Sequence, residues 1–394
     1  MKLLINTESL KPPLTGIGNY TFNLLQQFSG SPAFEAIDCF SGYRLMPAKE
    51  ALHACAVSAE RHATQQATAA DFSSSRLSTL LRSSALAYRA REVLRNGLLR
   101  SKRSQLRGHV YHEPNFILKN HAGPKVATIH DLSFIRHPEF HPAKRVDWLT
   151  SELPKTLACA DFLITDSDQV RTELLQNYAI DETRVRRIHL GAAPEFIPRS
   201  AEQTRTVLAK HGLRHGEYLL FVGTLEPRKG VDILLAAWSS LPSELKRRFP
   251  LVLAGANGWH NAALQKQMES LMDRDGLRYL RFVAAADLPA LYAGARVFVY
   301  PSRYEGFGLP VLEAMSCGTP VICTAGTSMS EITGTCALHI ENENTEQLRE
   351  QIQRLAEDDT LQRQVGQAGL ARSKDFSWAA CAQETQDVYR LIGG

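Results

Sequence analysis

The stretch 297–324 constrains the fold most, because it predicts a strand, a glycine loop, a helix and a second strand. Its first segment, VFVY, is a short run of β-branched and aromatic residues, which is typical of a buried strand. Gly306 and Gly308 allow a tight turn, and Pro310 suits the first turn of a helix, where its missing N–H costs nothing. Gly318 is a suitable C-terminal cap. Free N–H groups at the start of such a helix form a binding site for phosphate.

Two carboxylates, Glu305 and Glu313, flank this phosphate site and would repel the anion unless they bind something else. Carboxylates accept hydrogen bonds from paired hydroxyls, such as those of a ribose or a hexose. A ligand with a phosphate group between two polyols would satisfy both the phosphate site and the two carboxylates, and a nucleotide sugar is such a ligand. The alternative is structural: Glu313 is a favourable charge near a helix N-terminus, and Glu305 is a solvated loop residue. The combined spacing of acids, glycines and proline favours the functional interpretation.

The two glutamates around a GFG loop resemble the signature of retaining glycosyltransferases of family 4. These enzymes have the α/β GT-B fold, in which two Rossmann-like domains face each other across a cleft and a C-terminal helix crosses back to the N-terminal domain. The resemblance implies that Glu305 contacts the donor hexose and that Glu313 contacts the nucleotide ribose. It also assigns to the donor the loop residues Gly306, Phe307, Gly308 and Leu309.

A chain of 394 residues is too long for one ordinary core, so two domains are expected. We expect an N-terminal acceptor-binding domain over 1–195, a nucleotide-sugar-binding domain over 215–375, and a helix over 376–394 that returns to the first domain. Alternating strands and helices predict parallel sheets. No apolar run reaches the roughly 20 residues that span a bilayer, and the N-terminus lacks a signal peptide's apolar stretch. These features predict a cytoplasmic protein, and seven cysteines without a CxxC pair fit reduced thiols.

The segment GIGNY places Gly16 and Gly18 where the first helix is predicted to begin, which is a second potential phosphate site. A dinucleotide-binding fold would have a third glycine at Thr21 and an acid at the end of the next strand, so NAD binding is disfavoured. GIGNY instead resembles the N-terminal glycine loop of family 4, which faces the donor diphosphate and the acceptor. The alternative is a loop that needs glycine only for its backbone torsions.

The segment GTLEPRKG, which begins at Gly223, lies between a predicted strand and a predicted helix. Arg228 and Lys229 in this turn can neutralise a diphosphate leaving group. A solvated turn with an ordinary basic pair is the alternative. The segment is similar to the donor-phosphate motif of the family, which favours a catalytic role for both residues and a reaction without a metal ion or another cofactor.

His130 closes a predicted strand at its carboxyl end, where the sites of α/β proteins are found. In family 4 the matching histidine lies beside the donor sugar, so His130 is a candidate catalytic residue. The run TIHDLSFIRHPEFHP resembles mannosyl- and rhamnosyltransferases of surface-polysaccharide (O-antigen) assembly. The string Asp166-Ser167-Asp168 would hold a metal ion in another fold class, but its position at a predicted helix start favours capping.

The segment 73–107 contains nine Lys or Arg and one acid, so its net charge is +8, and the rest of a chain of net charge +4 must sum to −4. Its apolar residues recur at near-helical spacing: Leu77, Leu80, Leu81, Tyr88, Leu94 and Leu98. A basic amphipathic helix can lie on an anionic membrane, with Arg89, Arg91 and Arg95 toward the lipid. The alternative is a surface helix whose leucines face the core and whose arginines are solvated.

Together these features predict a hexosyltransferase that moves mannose or rhamnose from a nucleotide-diphosphate sugar, GDP-mannose or GDP-rhamnose, to a lipid-linked glycan in polysaccharide or lipopolysaccharide biosynthesis. The resemblance implies retention through a front-face reaction, in which the leaving phosphate deprotonates the acceptor. The expected partners are the donor, the acceptor and an anionic membrane at the cytosolic face of the inner membrane, without nucleic acid. Two alternatives stay open: a soluble enzyme that makes a small glycoside, and a non-catalytic nucleotide-sugar-binding subunit.

Overall fold

The computed structural model describes residues 1–12, 14–68, 85–258 and 262–393, with side chains throughout these ranges except at 59–68, 85–92, 262 and 273–275. The described residues form two open α/β sheets that follow each other along the chain. The last strand of the first sheet ends at Arg187, and the first strand of the second begins at Leu219. The division expected between 195 and 215 stays a prediction that falls between the two sheets.

The first sheet has seven strands: β1 (Lys2–Asn6), β2 (Ala36–Phe40), β3 (Leu45–Pro47), β4 (His109–Glu113), β5 (Lys125–Ile129), β6 (Phe162–Thr165) and β7 (Val185–Arg187). Their order is β3-β2-β1-β4-β5-β6-β7, and all pairs are parallel except β2 with β3. The helices of this half are α1 (Gly16–Ser29), α2 (Ala48–Thr68), α3 (Ala85–Ser101), α4 (Ser133–Arg136), α5 (Ala143–Cys159) and α6 (Asp168–Asn177). The strand order reverses direction between β1 and β4, and ligands of open α/β sheets bind at such a switch point.

The second sheet has six parallel strands: β8 (Leu219–Val222), β9 (Leu251–Ala254), β10 (Arg278–Tyr279), β11 (Val297–Tyr300), β12 (Val321–Thr324) and β13 (Leu338–Ile340). Their order is β10-β9-β8-β11-β12-β13, so the switch point lies between β8 and β11. The helices here are α7 (Ala201–Lys210), α8 (Val231–Ser239), α9 (Ser243–Arg248), α10 (Ala262–Asp275), α11 (Leu288–Gly294), α12 (Leu309–Ser316), α13 (Ser328–Thr333), α14 (Thr345–Glu357) and α15 (Asp359–Ser373).

The unit predicted from residues 297–324 is present as β11, α12 and β12. Pro310 lies in the first turn of α12, and the helix ends two residues before Gly318, which has a φ of +73°. Val311 and Leu312 are fully buried, and every residue of β11 is buried. Burial on both sides explains why this strand is a continuous apolar run.

The last helix, α16 (Trp378–Gly393), leaves the second half of the chain and packs against α1 and β4 of the first. Its Tyr389 is fully buried, and the Tyr389 hydroxyl lies 2.6 Å from His112 Nδ1 on β4. The prediction of a C-terminal helix that crosses back to the first half is therefore confirmed.

The basic segment 73–107 differs from the expectation. Part of it lies outside the description: residues Leu77, Leu80 and Leu81, and the side chains of Tyr88, Arg89 and Arg91. Arg95, which was expected to face lipid, is instead 3% exposed. Its Nη1 lies 2.7 Å from Glu8 Oε2, and this ion pair compensates for the burial of the guanidinium.

The leucines of α3 do not form one face either. Leu99 is buried in a small core with Leu4 and Phe40, whereas Leu94 is 55% exposed and its neighbour Val93 is 72% exposed. The exposed part of this segment is therefore apolar at Val93 and Leu94. Among the described residues, no helix combines the length and the apolar character needed to cross a membrane.

Candidate donor site

The loops after β8 and β11 meet at the switch point of the second sheet. The first loop carries Arg228 and Lys229 in a short 3-10 turn, and the second carries Glu305. Two hydrogen bonds join the loops, since the Arg228 carbonyl accepts from the Arg303 N–H at 2.8 Å and from Ser302 Oγ at 3.1 Å. Adjacent parallel strands end at the same edge, which brings residues 76 or 77 positions apart into contact.

Glu305 is the centre of a buried charge cluster. Its Oε1 lies 2.6 Å from Lys229 Nζ, 2.7 Å from Ser302 Oγ and 3.1 Å from the Tyr300 hydroxyl. Its Oε2 lies 3.1 Å from Arg228 Nη1. With a donor on each oxygen, the carboxylate has one fixed orientation before any ligand binds.

The charges of this cluster set the protonation of Glu305. Burial alone would raise the pKa of Glu305, but the charges of Arg228 and Lys229 outweigh burial and lower it to about 2. Arg228 also pairs with Glu226, whose Oε1 lies 2.8 Å from Nη2. Glu305 is therefore ionised at neutral pH, and it is too weak a base to take a proton from an acceptor hydroxyl.

Glu313 has a different environment on the second turn of α12. It is half-buried, and burial raises its pKa to about 7, with the nearby charge of Glu195 acting in the same direction. Among the described residues, no cation stabilises its charge in the way that Arg228 and Lys229 stabilise Glu305. Ligand hydroxyls that donate to Glu313 would lower its pKa again.

The glycine loop is one of the places where the two halves of the chain touch. A Cβ atom on Gly306 would lie 1.8 Å from the carbonyl oxygen of His130, so only glycine fits here. Ser167 Oγ, on the His130 side, donates to the Gly306 carbonyl at 2.7 Å. Gly308 has a φ of +112°, which other residues rarely adopt, and it precedes the first residue of α12.

His130 lies at this contact, but protein groups occupy both nitrogens of its ring. Nδ1 is 2.7 Å from Asp166 Oδ2, and Nε2 is 2.8 Å from the Pro114 carbonyl. Burial would lower the pKa of His130, yet the charge and hydrogen bond of Asp166 outweigh burial and raise it. An imidazolium that donates to both oxygens fits this geometry. The ring is therefore a buried structural element, and the part of His130 that faces Gly306 is its carbonyl.

The string Asp166-Ser167-Asp168 caps a helix as expected, although the residues divide the work differently. Ser167 is the N-cap of α6, and its side chain accepts from the Val170 N–H at 3.2 Å. Asp166 holds His130, and Asp168 lies in the first turn of the helix. A short polar string thus serves as a cap and as an ion-pair partner.

The other predicted donor glycines lie in the first turn of α1 and directly after β8. Gly16 opens α1 with free space where a side chain would lie, whereas a Cβ on Gly18 would lie 2.9 Å from the Ser9 carbonyl. Gly223 follows β8, and its N–H donates to the Ala254 carbonyl at 2.9 Å.

Phe307 and Leu309 flank Gly308 and differ in exposure. The Phe307 ring is 4% exposed and lies 5.9 Å from the ring of His189 and 6.1 Å from that of Phe376. Leu309 is the first residue of α12 and is partly exposed. The side chain of Phe307 therefore packs in the core, and its backbone forms part of the loop.

Residues 204–372 match the family described as Glycosyl transferases group 1. Over 392 residues the chain is 35% identical to O-antigen chain mannosyltransferase B of Escherichia coli, and the match covers 100% of both proteins. The chain belongs to this family of glycosyltransferases. It is also 32% identical over 233 residues to the serotype-specific mannosyltransferase WbdA of Escherichia coli, with 57% of this chain and 28% of WbdA covered.

The fold of the glycosyltransferase is shared with solved structures. The crystal structure of WaaG, a glycosyltransferase involved in lipopolysaccharide biosynthesis, superposes with a TM-score of 0.73, at 15% identity and over 100% of both chains. The predicted GT-B architecture is confirmed. As a glycosyltransferase, the protein takes a nucleotide-sugar donor and a glycan acceptor.

Sequence reasoning missed several residues that build the enzyme's charge cluster. Tyr300 is the last residue of β11, Ser302 lies two residues beyond it, and both hold Glu305. Glu226, in the loop after β8, holds Arg228. Their signal was positional, since each lies at or shortly after the carboxyl end of a strand that borders the switch point. Asp166 directly follows β6, and it was interpreted only as a helix cap.

Proposed function

We propose that this enzyme transfers mannose from GDP-mannose to a hydroxyl of a lipid-linked glycan during O-antigen assembly, with retention of the anomeric configuration. The 35% identity to O-antigen chain mannosyltransferase B, over the whole of both chains, is the observation that carries the proposal. GDP-rhamnose, the 6-deoxy analogue with the same base and diphosphate, is the second donor to test.

The donor fits the switch point of the second sheet in three parts. The diphosphate lies at the glycine loop before α12, near the positive end of the helix dipole, and takes the charges of Arg228 and Lys229, which stabilise the negative charge of the leaving group. The hexose lies toward Glu305, and the ribose diol donates to Glu313. Catalysis then depends on fixed charges, and the reaction needs no metal ion.

The state of Glu305 supports a reaction with retention. An inverting enzyme needs a base for the acceptor hydroxyl, and a double displacement needs a free carboxylate as nucleophile. Glu305 serves neither purpose well, because Lys229, at 2.6 Å, and Arg228, at 3.1 Å, occupy its oxygens and keep its pKa near 2. A front-face reaction, in which the leaving phosphate accepts the proton, supplies the missing base.

A lipid-linked acceptor fits the surface around α3. Val93 and Leu94 are exposed apolar residues, and exposed cations follow them: Arg100, Lys102, Arg103 and Arg107. A groove of about 720 Å³ between α3 and α5 has Arg100, Lys125 and Lys155 among its lining residues, which suits a phosphate of a lipid carrier. Each cation near an anionic bilayer contributes about 1 kcal/mol at low salt, enough in sum for peripheral binding.

The decisive experiment is a screen of the purified protein against nucleotide sugars for release of nucleoside diphosphate. GDP-mannose should give the largest rate, and release without an added metal is expected. Each active donor is then paired with a lipid-linked glycan and with a water-soluble analogue. Proton NMR of the product should show the anomeric configuration of the donor. Inversion would contradict the mechanism, and failure to turn over any donor would favour a non-catalytic subunit.

Membrane contact is tested by sedimentation with anionic liposomes. Wild type should pellet at low salt, and a variant with Arg100→Glu, Lys102→Glu and Arg103→Glu should stay in the supernatant. The exposed ion pair of Arg44 with Glu50 offers a control, since Arg44→Glu lies outside α3. If wild type also stays in solution, the soluble enzyme that makes a small glycoside gains support.

A further inference from the structure

Tyr304, the residue before Glu305, joins the two halves of the chain through its side chain. It lies in the loop after β11, in the second half, and is 3% exposed. Its hydroxyl donates to Glu173 Oε2 at 2.6 Å and accepts from the Leu132 N–H at 3.0 Å. Both partners belong to the first half, since Glu173 lies in α6 and Leu132 directly precedes α4. These two hydrogen bonds form what we call the Tyr304 bridge.

The main chain of the same residue contacts the charge cluster around Glu305. The Tyr304 carbonyl accepts from Arg228 Nη1 at 2.6 Å and from Ser302 Oγ at 3.2 Å. The same Arg228 nitrogen lies 3.1 Å from Glu305 Oε2, so it is held between the carbonyl of one residue and the carboxylate of the next. Because the carbonyl and the ring belong to one residue, a movement of the ring relative to the first half would also move this partner of Arg228.

The acceptor of the Tyr304 bridge is fixed within the first half. Glu173 is 4% exposed, and its Oε1 accepts from Gln169 Nε2 at 3.2 Å and lies 3.6 Å from Arg136 Nε. One carboxylate oxygen thus binds its own half, and the other binds Tyr304. Burial raises the pKa of Tyr304, and the charges of Asp131 and Glu173 raise it further, so the hydroxyl keeps its proton and remains the donor. A hydrogen bond of this kind, to a charged group, is among the stronger ones in proteins.

Ring contacts surround the Tyr304 bridge and differ from it in kind. The His137 ring lies edge-on to that of Tyr304, at 5.5 Å between centroids, and stacks on the Phe140 ring at 5.3 Å. The Arg303 guanidinium lies 5.9 Å from the centroid of the Phe140 ring. Such contacts hold two surfaces together over a range of orientations, whereas hydrogen bonds weaken steeply when they are misaligned. The bridge therefore selects one relative position of the loop after β11 and the first half.

We propose that Tyr304 is a positioning residue that couples closure of the two halves to the orientation of Arg228. When the hydroxyl binds the first half, the Tyr304 carbonyl holds Arg228 Nη1 in the orientation described above, and when the halves separate, that orientation is released. Full stabilisation of the leaving diphosphate is then confined to the closed enzyme. The assignment rests on the proposed role of Arg228, and it adds a residue that acts through Arg228 rather than on the donor.

The test uses Tyr304→Phe, which keeps the ring and the main chain and removes only the hydroxyl. Its kcat should fall about tenfold, the value of one hydrogen bond to a charged group. Its Kd for GDP, measured by isothermal titration calorimetry, should stay unchanged, because Glu226 and Glu305 still hold Arg228 in the second half. A small displacement of a catalytic group lowers the rate far more than it weakens ground-state binding.

Tyr218→Phe is the matched control. Tyr218 is a fully buried tyrosine of the second half, and its hydroxyl donates to the Leu291 carbonyl at 2.5 Å, within that half. The control therefore loses a buried hydroxyl without losing a contact to the first half. It should lower the melting temperature and leave kcat unchanged, which separates positioning from a general loss of stability.

Two further measurements address the bridge from the first half. Glu173→Met removes the acceptor, and the double variant with Tyr304→Phe should be no slower than the slower single variant, because both changes remove the same hydrogen bond. Hydrogen exchange followed by mass spectrometry needs no turnover. The peptide that contains the Leu132 N–H should exchange faster in Tyr304→Phe than in wild type, since this N–H loses its acceptor and the halves separate more often.

Four outcomes would overturn the assignment: an unchanged kcat in Tyr304→Phe despite faster exchange, a loss of GDP affinity equal to the loss of kcat, an equal loss of kcat in Tyr218→Phe, and additive losses in the double variant. The first would mean that closure does not act on Arg228, and the others that Tyr304 acts on the donor, on stability or independently of Glu173. If GDP-mannose is not the donor, the proposed function fails, and the same ratios are measured with the nucleotide sugar that the screen finds active.

Discussion

The two switch points of the molecule have the same topology and opposite chemistry. Between β8 and β11, the Glu305 carboxylate is held by Arg228 and Lys229, and each of its oxygens has a partner. Between β1 and β4, Glu8 pairs with Arg95 through one oxygen, while the other accepts no hydrogen bond within the described residues. The first site is organised in advance, whereas the second leaves one buried carboxylate oxygen without a hydrogen bond among the described residues.

The pairing at the switch point between β8 and β11 suits the ligand that this point is proposed to bind. A diphosphate brings concentrated negative charge, which fixed cations stabilise best when nothing has to reorganise during the reaction. Two switch points of the same topology therefore differ in chemistry because their charged side chains are paired differently.

The largest expected effect comes from removing a cation at the switch point between β8 and β11, which is called the donor point below. Lys229→Met should lower kcat by about 10² to 10³, because one preorganised stabiliser of the leaving group is lost. The matched control is Lys246→Met, since Lys246 is also a buried lysine of the second half, with its Nζ 3.1 Å from the Ser239 carbonyl. Equal losses in both variants would mean that Lys229 acts only through stability.

The next effect separates the two glutamates of the donor point. Glu305→Gln should lower kcat by about 10² with little change in the KM for donor, because the cluster that faces the reacting hexose loses its fixed charge. Glu313→Gln should instead raise the KM for donor by about tenfold, the value of one hydrogen bond to a charged group. Steady-state kinetics with GDP-mannose makes the distinction, and equal mild effects from both variants would contradict the assigned roles.

A smaller effect concerns stability against pH. The pKa of Glu313 is raised by burial to about 7 from a usual value near 4.5, so the folded state keeps a proton that the unfolded state has lost. Wild type should therefore lose stability relative to Glu313→Gln as pH rises from 5 to 8, by on the order of 3 kcal/mol. Thermal melts of both proteins across this range measure the change.

The pKa of Glu305 is shifted in the opposite direction, so the same melts should show a different pH dependence of stability for Glu305→Gln. Its pKa is lowered to about 2, so its contribution to stability is present above pH 4.5 and is lost as pH falls toward 2. The difference between wild type and Glu305→Gln should stay constant from pH 5 to 8. A difference that varies over this range would show that Glu305 is not the ionised partner of the two cations.

The smallest expected effect is that of chelation. If Arg228 and Lys229 supply the positive charge for the leaving group, EDTA should leave the initial rate unchanged, and added Mn²⁺ should not raise it. The measurement is the rate of nucleoside diphosphate release before and after dialysis against EDTA. A rate that falls after EDTA treatment and is restored by Mn²⁺ would show that the donor point needs a metal ion.

The sequence predicts those parts of the fold and site that depend on local signals. Pro310, Gly308 and Gly318 mark the bounds of α12, and the apolar run of β11 requires no long-range information. The contact between Glu305 and Arg228 follows from parallel neighbouring strands that end at one edge. In contrast, the burial of Arg95 depends on Glu8, which lies far away in the chain, and a basic helix by itself gives no sign of such a partner.

The same limit applies to His130 and Phe307. Motif matching placed both near the donor, but the direction of each side chain is set by tertiary neighbours. Asp166 and Pro114 take both nitrogens of His130, and His189 packs near the ring of Phe307. Backbone position was thus predictable where loops end strands, and side-chain direction was not.

The contact between Gly306 and His130 has a consequence for how such enzymes diversify. The two halves meet there through main-chain atoms, with the His130 carbonyl where a Cβ of residue 306 would lie. Main-chain atoms are common to all residues, so this part of the fit is independent of side-chain identity, whereas Ser167, Tyr304 and Glu331 add side-chain contacts between the halves. Residues outside these contacts can then change to accept new sugars while the main-chain fit is kept, as long as position 306 remains glycine.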